Sequence, residues 1–475
     1  MPSANHEVAP SQLSELVRRL VTEQPVWDVH THLYPLTMGS PLGGAGGSAD
    51  PRGLMLWGID ELLTYHYLVA ELFRVVPFEA LSAEAFWRMN RREQADLIWR
   101  ELFWERSPLS EAGRGVLTTL TRLGLDPHER SLDRYRKWFA AQNPDRHIDH
   151  VMELAGVERI TMTNNVFDDN ERQRWLDGSA GIDRRFIPVL RIDKLLRDWP
   201  LAVVRLGQWG YDVGLELTSR TRREVRRFLS EWIDRMGAAY CAASLPPGFS
   251  YEGGEDPGCH AILLREVLLP LLAERGLALA LMIGSTDSVN PALRDAGHMV
   301  GQADVRALTR LCADFPANRF LVTLLARENQ HELAVLARKF RNLTIFGCWW
   351  FLNTPSLIAE ITRMRLELLG TSFIPQHSDA RVLEQLVYKW DHSRTVIADV
   401  LTEQYVQLAG TGWSLTESAV AGDVGRLFRD NVASVLNARA GAAAATVPGG
   451  PHGRLADSHA AVRADSARTV HARRG

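Results

Sequence analysis

From residue 150 onward, short apolar segments alternate with amphipathic ones in a steady order. The apolar segments are RITMTNN (159–165), FIPVLRI (186–192), AAYCAAS (238–244), LALALMIG (277–284), RFLVTLLA (319–326), LTIFGCWWF (343–351) and SFIPQHSD (372–379). Between them lie stretches of helical periodicity such as QHELAVLARKF (330–340) and SLIAEITRMRLELLG (356–370), the latter closed by Gly370 as a residue just past a helix end. Near-continuous apolar strands alternating with helices predict a parallel sheet covered on both faces. Upstream, VWDVHTHLYP (26–35) supplies one more strand, at 26–33, and brings the count to eight. Eight such units predict a (β/α)8 TIM barrel, whose active site sits at the C-terminal strand ends. WGYDVGLEL (209–217) imitates a strand and is not counted.

The rest of the chain hangs on that frame. Residues 11–24 read as a helix with Ser11 as its N-cap. A Gly-rich loop follows the first strand at 35–53, and then a helical insertion at about 58–150, dense in Trp, Arg and Glu, with no strand pattern. The barrel unit is expected over 1–437, and 438–475, rich in Ala, Gly and Arg, as a disordered tail. Apolar residues are 46% of the 475, enough for a core of this size. A net charge of −3 offers no basic field for nucleic acid or anionic membrane. Cys241, Cys259, Cys312 and Cys348 lack CxxC spacing and read as free thiols in a reducing compartment. The N-terminus lacks the pattern of a signal peptide, and the longest apolar runs fall far short of the roughly 20 residues of a membrane span. A cytoplasmic protein is expected.

The first strand carries the candidate chemistry. Residues two apart share a strand face, so His30 and His32 point the same way, with Asp28 in phase one step earlier. Paired imidazoles suit a divalent metal, although two hydrogen-bonded core histidines would show the same spacing. Asp379, at the end of the eighth segment, would lie beside strand one on closure. It is either a third ligand or a helix N-cap. His30, His32 and Asp379 together leave coordination positions open, as a catalytic metal requires. One divalent ion is expected, zinc or else manganese. His377 reads as a packed, hydrogen-bonded histidine, Asp28 as an outer partner of the ligands, and Asp391-His392 as a solvated pair.

The His-x-His strand plus the strand-eight Asp resembles the amidohydrolase superfamily. The segments at strands four, five and six carry no Lys, Glu or His, which favours one metal over two. TYHY (64–67), VLRID (189–193), FGCWWF (346–351) and LLGTSFIPQHSDAR (368–381) resemble uronate isomerase over about residues 12–437. Where some members of that family place a strand-five histidine, this chain has Met282. The resemblance implies isomerisation of D-glucuronate to D-fructuronate, or D-galacturonate to D-tagaturonate, through a cis-enediol. The substrate would be a small sugar acid, with self-association left open. Arg191 is the expected carboxylate clamp, unless it pairs with Asp193 instead. Arg381, with the metal, would stabilise the developing oxyanion. Tyr67, helped by His66, would move the carbon proton, while Asp379 would deprotonate a hydroxyl or open the sugar ring. Trp349 and Trp350 would wall the sugar, one of them being plain core because strand neighbours face opposite ways. The alternatives are a mononuclear hydrolase or decarboxylase on the same barrel, and a non-catalytic sugar-acid-binding barrel.

Overall fold

In a computed structural model of the chain, residues 7–181, 183–251 and 258–436 are described. The tail expected at 438–475 lies outside them. Seven strands form one parallel sheet: β1 (Val26–Thr31), β2 (Val157–Asn164), β3 (Phe186–Arg191), β4 (Tyr240–Leu245), β5 (Ala278–Ile283), β6 (Arg319–Leu324) and β7 (Leu343–Ile345). Their order in the sheet is their order in the chain, and the sheet curls as in TIM-barrel-like folds. Residues 209–217 are not a strand.

The eighth segment is not a regular strand. Ile374 N–H donates to Ile345 O at 2.9 Å, and Gly347 N–H to Ile374 O at 2.8 Å. On the other side, Asp379 N–H donates to His30 O at 3.1 Å, and His32 N–H to Ala380 O at 2.8 Å. Residues 374–380 thus bridge the gap between β7 and β1 with few ladder bonds. Pro375 has no N–H to give, and Asp379 has a left-handed φ of 51°, so a continuous ladder is excluded. Gly347 permits the tight passage, because a Cβ there would lie 1.7 Å from the His377 ring.

Alternation sorts the sheet into two buried layers. In β5, Ala278, Ala280 and Met282 join Val29, Val189, Tyr240 and Phe346 inside the curl. Leu279, Leu281 and Ile283 pack outward against the helices. One such helix, Ser219–Met236, starts on Thr218, whose side chain accepts from Thr221 N–H, and ends at Gly237 with φ 62°. It buries Val225, Phe228, Leu229, Trp232 and Ile233, spaced three or four apart.

The insertion is helical from Ile59 to Ala155, as expected. It lies against the long helix Gln385–Gly410, where a Cβ on Gly115 would sit 2.5 Å from the Tyr388 ring. Asp391 and His392 on that helix are not a solvated pair. Asp391 bonds Arg122, and His392 reaches Thr118 at 2.8 Å and Glu111 at 2.6 Å, all on the insertion. Among the described residues no helix is long and apolar enough to cross a membrane.

Candidate active site

β1 aims its polar phase at the mouth of the curl. His30 Nε2 stands 3.4 Å from Asp379 Oδ1, and His32 Nε2 stands 3.3 Å from the same oxygen. The three groups can present donor atoms within 4.8 Å of one another. Thr163 Oγ1 spends its hydrogen on Thr31 O at 3.0 Å. It must therefore accept from His32 Nδ1, 3.0 Å away. That fixes the tautomer, and the bare lone pair of His32 Nε2 faces a carboxylate oxygen. Both nitrogens of His30 and Asp379 Oδ1 are buried with no hydrogen-bond partner among the described residues. Lone pairs converging on buried, unsatisfied anionic oxygen fit a cation and little else. Burial lowers His32 to about 4, so its imidazole is neutral and ready to ligate.

The carboxylate is positioned from behind. Asp28 accepts Ser378 N–H at 3.1 Å, Trp390 Nε1–H at 2.9 Å and His30 N–H at 3.3 Å. Lys389 Nζ donates to Ser378 O at 2.6 Å. The Ser378 peptide is pinned at both ends, and it holds Asp379 in a conformation an L-residue seldom adopts. The non-glycine residues with φ near +50° among the described residues are Ser288, Arg294, Trp350 and Asp379. All stand in the segments around the mouth, where stored backbone strain is most often functional.

The cluster opens into a cavity of about 310 Å³ that also takes in Tyr65, His66, Arg191, Trp349, Trp350 and Arg381. The structure thus gathers most of the expected site residues, with corrections. Arg191 is tied to Asp193 through Nε at 2.9 Å and Nη2 at 2.6 Å, and Nη2 also donates to Ser244 at 3.1 Å. Burial pushes the Arg191 pKa down, but Asp193 outweighs it and raises it, so the pair stays charged. A two-nitrogen clamp on substrate is therefore not free at Arg191, and Nη1 remains. Tyr67 lines an adjoining cavity of about 300 Å³ that shares His66, His298 and Trp350 with the first. Its hydroxyl is buried without a partner. Both tryptophans face the site cavity, because β7 ends at Ile345 and strand alternation no longer applies. His377 is packed against His30 at a ring distance of 5.3 Å, but neither of its nitrogens has a hydrogen-bond partner.

His66 gives the site a measurable acid sensitivity. Burial lowers its pKa from 6.5 to about 3. Between those values the unfolded chain holds a proton that the folded chain refuses, so stability is full above about pH 6.5 and declines as pH falls toward 3. His66→Phe is expected to flatten part of that decline in chelator-treated protein followed by thermal unfolding. An unchanged slope would clear His66 of the effect.

Sequence reasoning passed over Tyr65, Ser244, Asp287, Asp295 and His298, which also reach the cavity. Tyr65 stands in TYHY, beside the two residues that sequence reasoning singled out. Ser244 lies near the end of β4 and the others follow β5, where the barrel rule pointed to the strand ends without singling out residues.

A curled parallel sheet with an unsatisfied His–His–carboxylate cluster at its C-terminal mouth defines an α/β-barrel-type enzyme with a candidate metal centre. No protein-family model matches the chain, and no curated protein matches it either. Among solved structures, a uronate isomerase from Bacillus halodurans C-125 is 49% identical, with a TM-score of 0.85 over 91% of this chain and 98% of that one. A glucuronate isomerase from Caulobacter crescentus shares the fold at 15% identity, TM-score 0.70, covering 90% of this chain and 94% of that one. A uronate isomerase from Thermotoga maritima does so at 14% identity, TM-score 0.68, covering 91% and 100%. The chain belongs to the uronate isomerase family.

Proposed function

We propose that the protein is an aldose–ketose isomerase of uronates, converting D-glucuronate to D-fructuronate, D-galacturonate to D-tagaturonate, or both. The observation that carries this is the 49% identity to a uronate isomerase along 91% of the chain. The hydrolase alternative is not favoured, since β5 (ALALMI) and β6 (RFLVTL) bring no His, Lys or Glu to the mouth. We read residues 374–380 as the eighth member of a (β/α)8 barrel and the helical insertion as part of the same unit.

His30, His32 and Asp379 would hold one divalent ion, zinc or manganese for an N/O donor set. That ion would supply Lewis-acid charge to the sugar oxygens. The other roles fall to side chains of this cavity and of the one adjoining it. Burial raises Tyr67 well above the usual phenol range, so it enters as the protonated phenol. That reverses the division of labour expected from sequence. Asp379, as the carboxylate, takes the proton from C2, while Tyr67 gives its proton to the C1 carbonyl oxygen. Tyr67 then recovers a proton from the C2 hydroxyl, and Asp379 returns its own to C1, which completes the ketose. Arg381, which has no ion-pair partner among the described side chains, faces the charge of the enediolate. Trp349 and Trp350 exclude water from it.

Proton NMR of D-glucuronate and D-galacturonate incubated with purified protein tests the reading. New ketose resonances support it, and cleaved product or unchanged substrate removes it. Arg191 is proposed to meet the substrate carboxylate through Nη1. Arg191→Met should then lower kcat/KM for uronates about 10- to 150-fold, the range of a charge-assisted contact of about 1.5–3 kcal/mol. Turnover of the neutral parent aldose should be spared. The melting temperature should also fall, because Asp193 would lose its partner. An equal loss on both sugars would assign Arg191 to structure alone.

A further inference from the structure

The segment after β5 delivers one more polar group to the mouth. β5 itself sends none, for Met282 is buried in the curl. Beyond it, Ser285–Thr286 pairs antiparallel with Met299–Val300 and closes off the segment 287–298 at its base. Trp87 of the insertion clamps the far side, donating Nε1–H to Ala292 O at 2.8 Å while Arg294 stacks over its ring at 4.4 Å. Two left-handed residues, Ser288 and Arg294, shape the turn between. The result carries His298 into both cavities.

The protonation pattern of His298 is set by its neighbour. Its Nδ1 accepts Ser288 N–H at 2.9 Å. An imidazole that accepts at Nδ1 carries its hydrogen on Nε2. Asp295 Oδ1 stands 3.8 Å from that Nε2, beyond hydrogen-bond distance, and is 88% exposed. The ring is therefore a neutral donor held at fixed orientation with no firm acceptor of its own. It lines the same wall as Trp350, at a ring distance of 6.0 Å.

We propose that His298 is a substrate-binding residue: its Nε2–H donates to an oxygen of the open-chain sugar acid, on the loop side of the cavity. The inference rests on the proposed uronate reading and names a contact of that same site. The strained Ser288 turn is what keeps the donor aimed, because it commits Nδ1 as acceptor and so leaves Nε2 to the substrate. The contact is neutral, so it orients the sugar chain without competing with the arginines for the carboxylate.

Two amide variants separate binding from loop structure. Asn places its amide where Nδ1 stands and can still accept Ser288 N–H, whereas Gln reaches the Nε2 position and can still donate to the sugar. Binding of D-gluconate, a six-carbon polyhydroxy acid that cannot isomerise, is measured by calorimetry on the metal-loaded protein, beside kcat/KM for both uronates. His298→Asn and His298→Ala are expected to weaken gluconate binding about three- to tenfold, the worth of one neutral hydrogen bond. His298→Gln, which keeps the donor but loses the Ser288 anchor, should bind more tightly than His298→Ala and less tightly than wild type. Rescue by Asn and not by Gln would overturn the proposal and make His298 a loop-holding residue. Equal losses in Asn and Gln, or no loss in Ala, would overturn it as well. Turnover by the wild type judges the isomerase reading separately, since the gluconate comparison needs no chemistry.

Discussion

The double variant His30→Ala, His32→Ala is expected to lose both its metal and its turnover. Wild type should carry about one divalent ion per chain by elemental analysis and the variant close to none. kcat/KM for uronates should fall by about 10³-fold or more, matching the several kcal/mol of charge stabilisation that a bound divalent ion provides. The expectation follows from geometry. His32 Nε2 and Asp379 Oδ1 stand 3.3 Å apart with no proton between them to share, and His30 has no partner for either nitrogen. Both imidazoles sit on the face that β1 turns to the mouth, so the backbone has no reason to rearrange when they are removed. Circular dichroism should show the variant folded. Full activity in the variant after exhaustive chelation would sink the metal assignment.

Arg381→Met is expected to cut kcat by about 10²- to 10³-fold with little change in KM, the size seen when one donor to a developing oxyanion is removed. Its charge has no ion-pair partner among the described residues, in contrast to Arg191, which is tied to Asp193 at 2.6 Å. A charge kept free at a cavity wall costs little stability to remove, so the melting temperature should stay close to that of wild type. The loss should be equal for uronates and for the neutral parent aldose, because the enediolate forms in both. This is the opposite signature to that of Arg191→Met. A loss confined to KM and to uronates would transfer the carboxylate contact to Arg381.

How much of this was legible in the residues depends on how local each signal is. His30 and His32 could be read because alternation along β1 and into the residue after it is a local rule. The sheet could be read because its strands are nearly all apolar and recur in order. The eighth segment was found by its Asp, but PQHSD is not the regular strand expected, since beside its few backbone bonds to β7 and β1 its groups bond Asp28 and Lys389. The tryptophans were judged by strand rules four and five residues beyond the end of β7. The Arg191–Asp193 pair was one of two readings of a single Arg-x-Asp spacing, and only coordinates could choose between them. His298 had no local signature, because its role depends on a ribbon, a strained turn and a clamp from the insertion more than two hundred residues earlier, Trp87 to Ala292 being 205 apart.

The seam at Ser378 also bears on when the enzyme becomes an enzyme. Asp28 and Ser378 are 350 residues apart in the chain, and their contact sets the place of the third group of the candidate metal site. A nascent chain emerging from the ribosome can stack β1 through β7 as each appears, yet it exposes an open edge on β1 throughout. Such distant partners meet slowly, since loop-closure entropy is spent before any contact rewards it. Competence to bind a metal is therefore expected to arrive last, in the same event that covers the exposed edge. Refolding followed by metal uptake should lag behind the recovery of helical signal, and a chaperone that shields one β1 edge would be guarding the unborn active site at the same time.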